Sequence, residues 1–530
     1  VKSLLASIKA FFWPPDTALR LRRAELTFWA FILAVAYLPI PFGFLAWFAL
    51  YRPLSIIVNL KGKEVFKAAY FYSFMSNIFT LYWVAIVTPP GMIAAVFILS
   101  LYPAALLSLF ARLYHWKKYV GLIALPFLWV GMEYFRSLSQ FAFPWTDLAY
   151  SQGYYLTFIQ IVSVIGSYGL SFVIVILNIL AWQFLEKSAR LEKRVSSALA
   201  FTGIIVGVYL YGWVVFPPYP EPGKIKVSLL QGNVDLDIKW TPETRDWNFA
   251  LYDTLVEEAA EDSAHLIVWP ETAAPCYPRH EPRYKRMLSE SARKSGAYNI
   301  VGTLDIETWN DKGKSYNSAF QFAPDGTMSA PYHKVNLVPF SEHVPYQDYF
   351  PFLTREFLEN YLTFIRTQEV EWWSDFYPGD SIVIFETDQS AYAVLICFES
   401  AFPEYIRQCL LKGGEFLVNI TNDTWFGRSP GPFQHMRIAV FRAVENRVWI
   451  ARCANSGISA LIDPYGRETV RAGLYERKVI TGGIRPLDEY TLFTLHGPVV
   501  GRLSLYVTLF LIVAVGVLTF VGRFTNKSPR

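Results

Sequence analysis

Charge is what this chain most lacks. Of its 530 residues only 17% are Asp, Glu, Lys or Arg, while 53% are hydrophobic and 17% aromatic. Soluble globular proteins carry about 25% charged residues, so this chain cannot cover a wholly water-facing surface. The same apolar excess excludes disorder. Cysteine is scarce as well: four in such a length make no disulfide framework, and their spacing matches no zinc module. The seven histidines form no HExxH pair and no clustered ligand set. No glycine-rich phosphate loop precedes a helix, and no repeat or low-complexity tract is visible. No metal, nucleotide or other cofactor is therefore expected. A net charge of +4, from 48 basic and 44 acidic residues, is too balanced for a nucleic-acid binder. What remains is a membrane protein with a further domain attached.

Long apolar runs are what the chain has in their place. With ~20 mostly apolar residues per span, the candidates are 25–40, 42–60, 68–87, 92–114, 119–136, 167–185, 197–216 and 503–522, eight in all. Pro39 and Pro41 fall between the first two, and Arg52 lies inside the second. The alternative for that pair is one broken hairpin that only partly crosses, which the cost of lipid-exposed irregular backbone disfavours. No small-residue cleavage site follows the first run, so 25–40 reads as a retained helix.

Lys and Arg alternate across the connections. Lys2, Lys9, Arg20, Arg22 and Arg23 precede the first span; Lys61, Lys63 and Lys67 follow the second; Arg112, Lys117 and Lys118 follow the fourth. Lys187, Arg190, Lys193 and Arg194 follow the sixth, and Arg523, Lys527 and Arg530 end the chain. The intervening connections are nearly bare, with only Arg136 at the edge of 137–166. Basic connections stay in the cytoplasm. The expected layout is a cytoplasmic segment 1–24, a seven-helix bundle 25–216, a Pro-rich linker 217–224, an extracytoplasmic domain 225–490, a last transmembrane helix 503–522 and a cytoplasmic tail 523–530.

Within 225–490, apolar runs alternate with polar helical stretches. Strands are expected at Ile225–Leu230, His265–Trp269, Asn299–Leu304, Tyr316–Phe322, Ser381–Glu386, Ala391–Ile396, Phe416–Ile420 and Ile458–Ile462, and Pro464-Tyr465-Gly466 reads as a turn from the last of these into a further strand. Helices are expected at 243–262, 283–295, 403–412 and 433–448. This alternation means a layered α/β domain.

Two reactive residues follow short apolar strands. Glu271 comes after His-Leu-Ile-Val-Trp-Pro, and Cys397 after Ala-Val-Leu-Ile; strand ends in α/β domains converge on a ligand crevice. Lys334 sits in Tyr-His-Lys-Val-Asn-Leu-Val-Pro-Phe, a stretch without obvious regular structure. A carboxylate to take a proton, a thiol to attack a carbonyl and an ammonium to steady the oxyanion would make a nucleophilic site. The same residues also fit plain roles. A cysteine ending an apolar strand is most often a small buried hydrophobe, Glu271 could cap a helix, and Lys334 could be a surface charge. Cys276, Cys409 and Cys453 read as structural.

Three blocks carry a resemblance: Trp-Pro-Glu-Thr at 269–272, His-Lys-Val-Asn-Leu-Val-Pro-Phe-Ser-Glu-His-Val-Pro at 333–345 and Ile-Cys-Phe-Glu at 396–399. They resemble the catalytic blocks of the nitrilase superfamily. With spans around them, the chain resembles the bacterial apolipoprotein N-acyltransferases, the membrane-embedded branch of that superfamily. Supporting blocks lie at 143–152, 231–233 with Trp240 after them, 316–318, 422–435 and 452–457. Phe398 stands where a tyrosine is also familiar. The aromatic stretch 355–377, with Trp372 and Trp373, reads as a flap over a membrane-facing mouth or as a surface loop with its own small core.

The resemblance implies an α-helical membrane bundle of about eight spans plus an extracytoplasmic αββα sandwich. It implies Glu271 as general base, Lys334 as oxyanion stabiliser and Cys397 as nucleophile, with supporting roles for Glu342 and Glu399 and substrate contacts from Trp240, Asn317 and Trp425. Glu342 and Glu399 would hold Lys334 charged, since a buried ammonium needs anionic partners. Trp240 and Trp425 also fit as interfacial anchors. The implied activity moves a fatty acyl chain from a membrane phospholipid, with phosphatidylethanolamine the expected donor, through a Cys397 thioester to the free α-amine of the N-terminal S-diacylglyceryl cysteine of apolipoproteins. The protein would act as a monomer in the bacterial inner membrane with its catalytic domain in the periplasm. Two rivals stand beside this reading. One is a tethered amidase that uses water; the other is a transporter with a sensing domain, disfavoured because Arg52 and Glu133 are nearly the only ionisable residues deep in the spans.

Overall fold

The computed structural model describes residues 14–186, 188–218, 223–235, 242–309, 312–347, 349–350 and 375–525. Among these, four helices are long and apolar enough to cross a membrane: Gly91–Trp116, Val162–Leu185, Leu191–Val215 and Val499–Phe520. The apolar stretch of the last is only 6% buried by the rest of the protein, so its surface needs lipid to cover it. Val162–Leu185 is two-thirds covered and forms the centre of the bundle.

The N-terminal helices depart from the expected limits. The first runs Thr17–Val35, begun by Asp16, whose carboxylate accepts from the Leu19 N–H at 2.7 Å. It ends before Pro39 and Pro41, where an irregular turn takes over. The expected helix 42–60 is broken into a tight turn, Gly43–Trp47, and a short helix, Tyr51–Val58. Buried Asn178 satisfies the break: its Oδ1 accepts from the Leu50 N–H and its Nδ2 donates to the Ala46 carbonyl, each at 2.8 Å. Irregular backbone is tolerated at membrane depth when protein groups satisfy it in this way. The two ionisable residues singled out in the spans are tied down as well. Arg52 pairs with Glu25, while Glu133 accepts from the Trp129 indole and the Leu148 N–H.

Among the described residues the α/β domain holds twelve strands: β1 Ile225–Gln231, β2 Leu266–Val268, β3 Tyr298–Trp309, β4 Lys312–Phe322, β5 Tyr332–His333, β6 Ile384–Glu386, β7 Ala391–Ile396, β8 Phe416–Thr421, β9 Ile450–Ala454, β10 Ser459–Ile462, β11 Glu468–Ala472 and β12 Lys478–Ile484. They form two six-stranded sheets, ordered β12-β1-β2-β3-β4-β5 and β11-β10-β9-β8-β7-β6. In each the central three strands are parallel and the flanking ones antiparallel. Side chains alternate across a strand. Val227, Leu229, Leu266 and Val268 thus face the second sheet, while Leu230 and Ile267 face the helices Pro242–Glu261 and Pro282–Ser295. The helices Pro403–Leu411 and Gly431–Asn446 serve the second sheet. Covered on both faces, the central strands are continuous apolar runs. β5, β9 and β12 were not expected as strands. β9 carries Arg452 in its middle, and β5 spans only two residues.

The domain rests on the bundle through Gly431–Asn446, which packs along Val162–Leu185. Gly166, at φ 68°, kinks the latter helix. Just past the kink the Ser167 N–H donates to Glu445 Oε1 at 2.6 Å. Arg442 holds the other oxygen of Glu445 at 3.2 Å and reaches the Tyr150 hydroxyl at 3.1 Å.

Candidate active site

The first sheet brings three side chains to the carboxyl end of β2. The chain leaves β2 through Trp269-Pro270 and presents Glu271, which is almost wholly buried. The approach is close: a Cβ on Gly302 of β3 would lie 2.3 Å from the Pro270 carbonyl and 2.8 Å from Glu271 Cα, so only glycine fits there. Asn317 on β4 donates from Nδ2 to Glu271 Oε1 at 2.8 Å and to Glu342 Oε1 at 3.3 Å. Lys334 follows β5 directly, and its N–H extends the ladder to the Asn317 carbonyl at 2.9 Å. Its Nζ donates to Glu342 Oε1 at 2.7 Å and lies 3.6 Å from Glu271 Oε1. Glu342 is itself held by the Val338 N–H on Oε2 at 2.8 Å. Burial opposes the charge on Lys334, but Glu342, Glu271 and Cys397 outweigh it and hold the ammonium above its ordinary value.

The second sheet supplies the thiol. Cys397 directly follows β7, at φ 52°, the left-handed region that costs a non-glycine residue roughly 1–2 kcal/mol. A tight helical turn, Cys397–Ala401, begins there, and the Phe398 N–H within it has no hydrogen-bond partner among the described residues. Burial and then the Glu271 carboxylate push the Cys397 thiol above its ordinary value, while Lys334 and a hydrogen bond with Thr421 pull it back. The resting sulfur is therefore a protonated thiol beside a carboxylate and a permanent ammonium, and it needs a base before it can attack.

Glu399, expected to help hold Lys334, lies against the main chain just after that residue. Fully buried, it accepts from the Val335 and Asn336 N–H groups at 2.7 and 3.0 Å on one oxygen, and from the Tyr332 hydroxyl and the Ile396 N–H at 2.6 and 2.8 Å on the other. It thus ties the backbone just after Lys334, and the Tyr332 side chain just before it, to the end of β7, while Glu342 and Glu271 are the carboxylates paired with the ammonium among the described residues. Trp425 lies on the short turn Asp423–Phe426 and is exposed. Trp240 lies outside the described residues, as does the expected flap from 355 to 374. Of that stretch, Phe376 and Tyr377 pair through their N–H groups with the carbonyls of Glu342 and Ser315, at 2.8 and 2.9 Å.

A model of carbon-nitrogen hydrolases matches residues 226–489, and a model of the apolipoprotein N-acyltransferase N-terminal domain matches residues 29–180. An apolipoprotein N-acyltransferase of Geobacter metallireducens is 35% identical over 472 residues, 86% of this chain and 88% of that protein. This chain belongs to the apolipoprotein N-acyltransferase family. Two more members, from Chlorobaculum tepidum and Rickettsia prowazekii, are 29% and 30% identical over 87% and 81% of this chain and 90% and 86% of theirs. A solved amidase of Nesterenkonia from the nitrilase superfamily aligns over 51% of this chain and 93% of its own at 17% identity, with a TM-score of 0.37. As a member of the family the protein is an acyltransferase with a nitrilase-type domain.

Family membership leaves unexplained a buried group behind the thiol that the residue pattern did not single out. Asp423 Oδ1 lies 2.8 Å from His435 Nδ1 and accepts from the Thr421 hydroxyl at 3.0 Å. Its Oδ2 accepts from Arg452 at 2.8 Å, and Arg452 also donates to Asn419 at 2.5 Å. His435 Nε2 lies 3.1 Å from both the Cys397 carbonyl oxygen and Ser400 Oγ. Against burial, Arg452 and His435 hold the Asp423 carboxyl down to about 2. Asp423, His435 and Arg452 all fall in the supporting blocks, so the signal was present without a role attached. The bundle meets the same place: Trp145 stacks on Phe398 and packs on the His435 ring, at centroid distances of 6.2 and 5.2 Å.

Proposed function

We propose that the protein transfers an acyl chain in two steps through Cys397. Glu271 takes the thiol proton, and the thiolate attacks the ester carbonyl of a phospholipid, with phosphatidylethanolamine the expected donor. The tetrahedral oxyanion is met by the Lys334 ammonium and the Phe398 N–H. As the intermediate collapses, the ester C–O bond breaks, the lysophospholipid oxygen takes the proton from Glu271, and a thioester remains. The α-amine of an S-diacylglyceryl cysteine then attacks that thioester, giving a proton to Glu271; the amide forms and the thiolate leaves, to be reprotonated. Asn317 and Glu342 fix the carboxylate and the ammonium, Glu399 fixes the loop between them, and Trp240 and Trp425 contact substrate. The observation that carries the reading is one buried ammonium shared by Glu271 and Glu342 beside a thiol on a strained strand end, in a domain seated on apolar helices.

The reading includes a place and a layout. Both substrates are lipid-anchored, so the domain 225–490 belongs at the outer face of the inner membrane. The helices within 25–216 and the helix 503–522 hold it there, 217–224 is a linker, and the ends 1–24 and 523–530 lie in the cytoplasm of a monomeric protein. Single cysteines at Ser188 and Gln389, both exposed, test the orientation in spheroplasts with an impermeant maleimide: Gln389→Cys reacts and Ser188→Cys does not. Activity is tested by giving purified protein a phospholipid and a diacylated lipopeptide. A triacylated product is expected with a free α-amine and none with an N-acetylated peptide. Release of free fatty acid at the same rate with or without peptide would make the enzyme a hydrolase instead.

A further inference from the structure

We propose that His435 is a positioning residue for the acyl-transfer step: donating from Nε2 to the Cys397 carbonyl oxygen, it fixes the Cys397–Phe398 peptide so that the Phe398 N–H faces the oxyanion. The proposal rests on the two-step reading above. A peptide unit is planar and trans, so its C=O and N–H point in opposite directions, and holding one end aims the other. At the carbonyl end stand the Ser400 hydroxyl and His435 Nε2, each 3.1 Å away. At the other end is an N–H without a partner among the described residues. The carbonyl would otherwise be free to rotate, because Cys397 sits in a region of backbone space that nothing intrinsic favours.

The surroundings of His435 suit a fixed donor better than a base. The ring is fully buried and its Nε2 meets the backbone carbonyl of Cys397. Asp423, itself held by Arg452 and Thr421, accepts from the opposite ring nitrogen, so both nitrogens face oxygen acceptors and the donating form is the imidazolium. Burial and the nearby Arg452 charge oppose that form, and the Asp423 carboxylate and the Cys397 carbonyl favour it. The ring is thus held from β8 and β9 against the one carbonyl whose orientation matters. Trp145 of the bundle packs on its face, so the membrane part helps to seat it.

Acylation and alkylation separate this role from others. Attack on an ester builds an oxyanion, whereas iodoacetamide alkylates the thiolate by displacing iodide and builds none. In the full-length protein in detergent, His435→Ala should slow single-turnover acylation by labelled phosphatidylethanolamine about 100-fold, as expected for a misaimed oxyanion donor. Alkylation of Cys397 should stay within about threefold of wild type. His435→Gln, whose amide can donate to the same carbonyl, should recover at least about tenfold of the lost acylation rate. If His435→Ala does not fold, Ser400→Ala removes the other donor to that carbonyl and should slow acylation about tenfold with alkylation unchanged. Equal losses in both reactions, or no loss in either, would overturn the proposal. A wild-type protein that alkylates normally but never acylates would instead remove the reading beneath it, and the proposal with it.

Discussion

The two sheets bring unlike chemistry to the cleft and hold it by unlike means. From the first come Glu271, Asn317 and Lys334, polar side chains fixed by hydrogen bonds from the Asn317 amide to Glu271 at 2.8 Å and to Glu342 at 3.3 Å and by the Lys334–Glu342 ion pair of 2.7 Å. From the second comes a thiol whose position is set by the main chain: a left-handed φ, a carbonyl flanked by His435 and Ser400, and the Ile396 N–H on Glu399. Charge on the first side is costly to bury and so must be paired within the site. Backbone strain on the second is costly too and is maintained by a buried group behind the site. One half is preorganised electrostatics, the other preorganised conformation. Their failures should therefore look different.

The largest effect expected is from Cys397→Ala, which removes the proposed attachment point and should abolish labelled acyl-enzyme altogether in a denaturing gel. Next is the ammonium. Lys334→Met should lower single-turnover acylation by roughly two to three orders of magnitude, as expected for the loss of an oxyanion donor, with phospholipid binding by equilibrium dialysis nearly unchanged. Near-normal turnover in a folded Lys334→Met would return that residue to a structural role. Glu342→Gln keeps the shape but leaves Glu271 as the one carboxylate ion-paired with the ammonium among the described residues; a loss of about tenfold is expected, smaller than for Lys334→Met. Equal losses would mean that Glu342 does more than hold the lysine.

The smallest expected effect is on stability. Asp423 titrates near 2 in the folded domain, below the 3.8 ordinary for an aspartate. The unfolded chain therefore binds more protons in that interval, and the contribution of the ionised carboxylate is complete above about pH 4 and lost as the pH falls towards 2. The melting temperature of the wild type should thus exceed that of Asp423→Asn at neutral pH, with the gap narrowing between pH 4 and 2. A gap that widens on acidification would contradict the assignment of Asp423 as an ionised partner of Arg452.

The same contrast governs what was legible in the residues. Glu271, Lys334 and Cys397 could be named because they follow short apolar runs or sit in distinctive blocks, and the strand Ala391–Ile396 was read to the residue. The layered domain was legible for the same reason, since strands buried on both faces leave continuous apolar runs. The backbone half was not. Nothing in Ile-Cys-Phe-Glu tells that Cys397 takes a positive φ, or that Glu399 bonds to N–H groups rather than to an ammonium. Arg452 hid β9, because an arginine in mid-strand reads as exposed unless its partners Asn419 and Asp423, 33 and 29 residues away, are known. The break within 42–60 entered only as the disfavoured alternative of a broken hairpin, because the group that satisfies it, Asn178, lies over a hundred residues on.

The central claim is that Cys397 carries the acyl group between two lipid substrates, and the direct test withholds the second one. Full-length protein is mixed with phospholipid bearing a labelled acyl chain and no acceptor, then denatured, digested and analysed by mass spectrometry. The account predicts label on the peptide containing Cys397, released by neutral hydroxylamine and discharged from the folded protein by a diacylated lipopeptide with a free α-amine. Label on any other residue, or label that water removes as fast as the lipopeptide does, would contradict it.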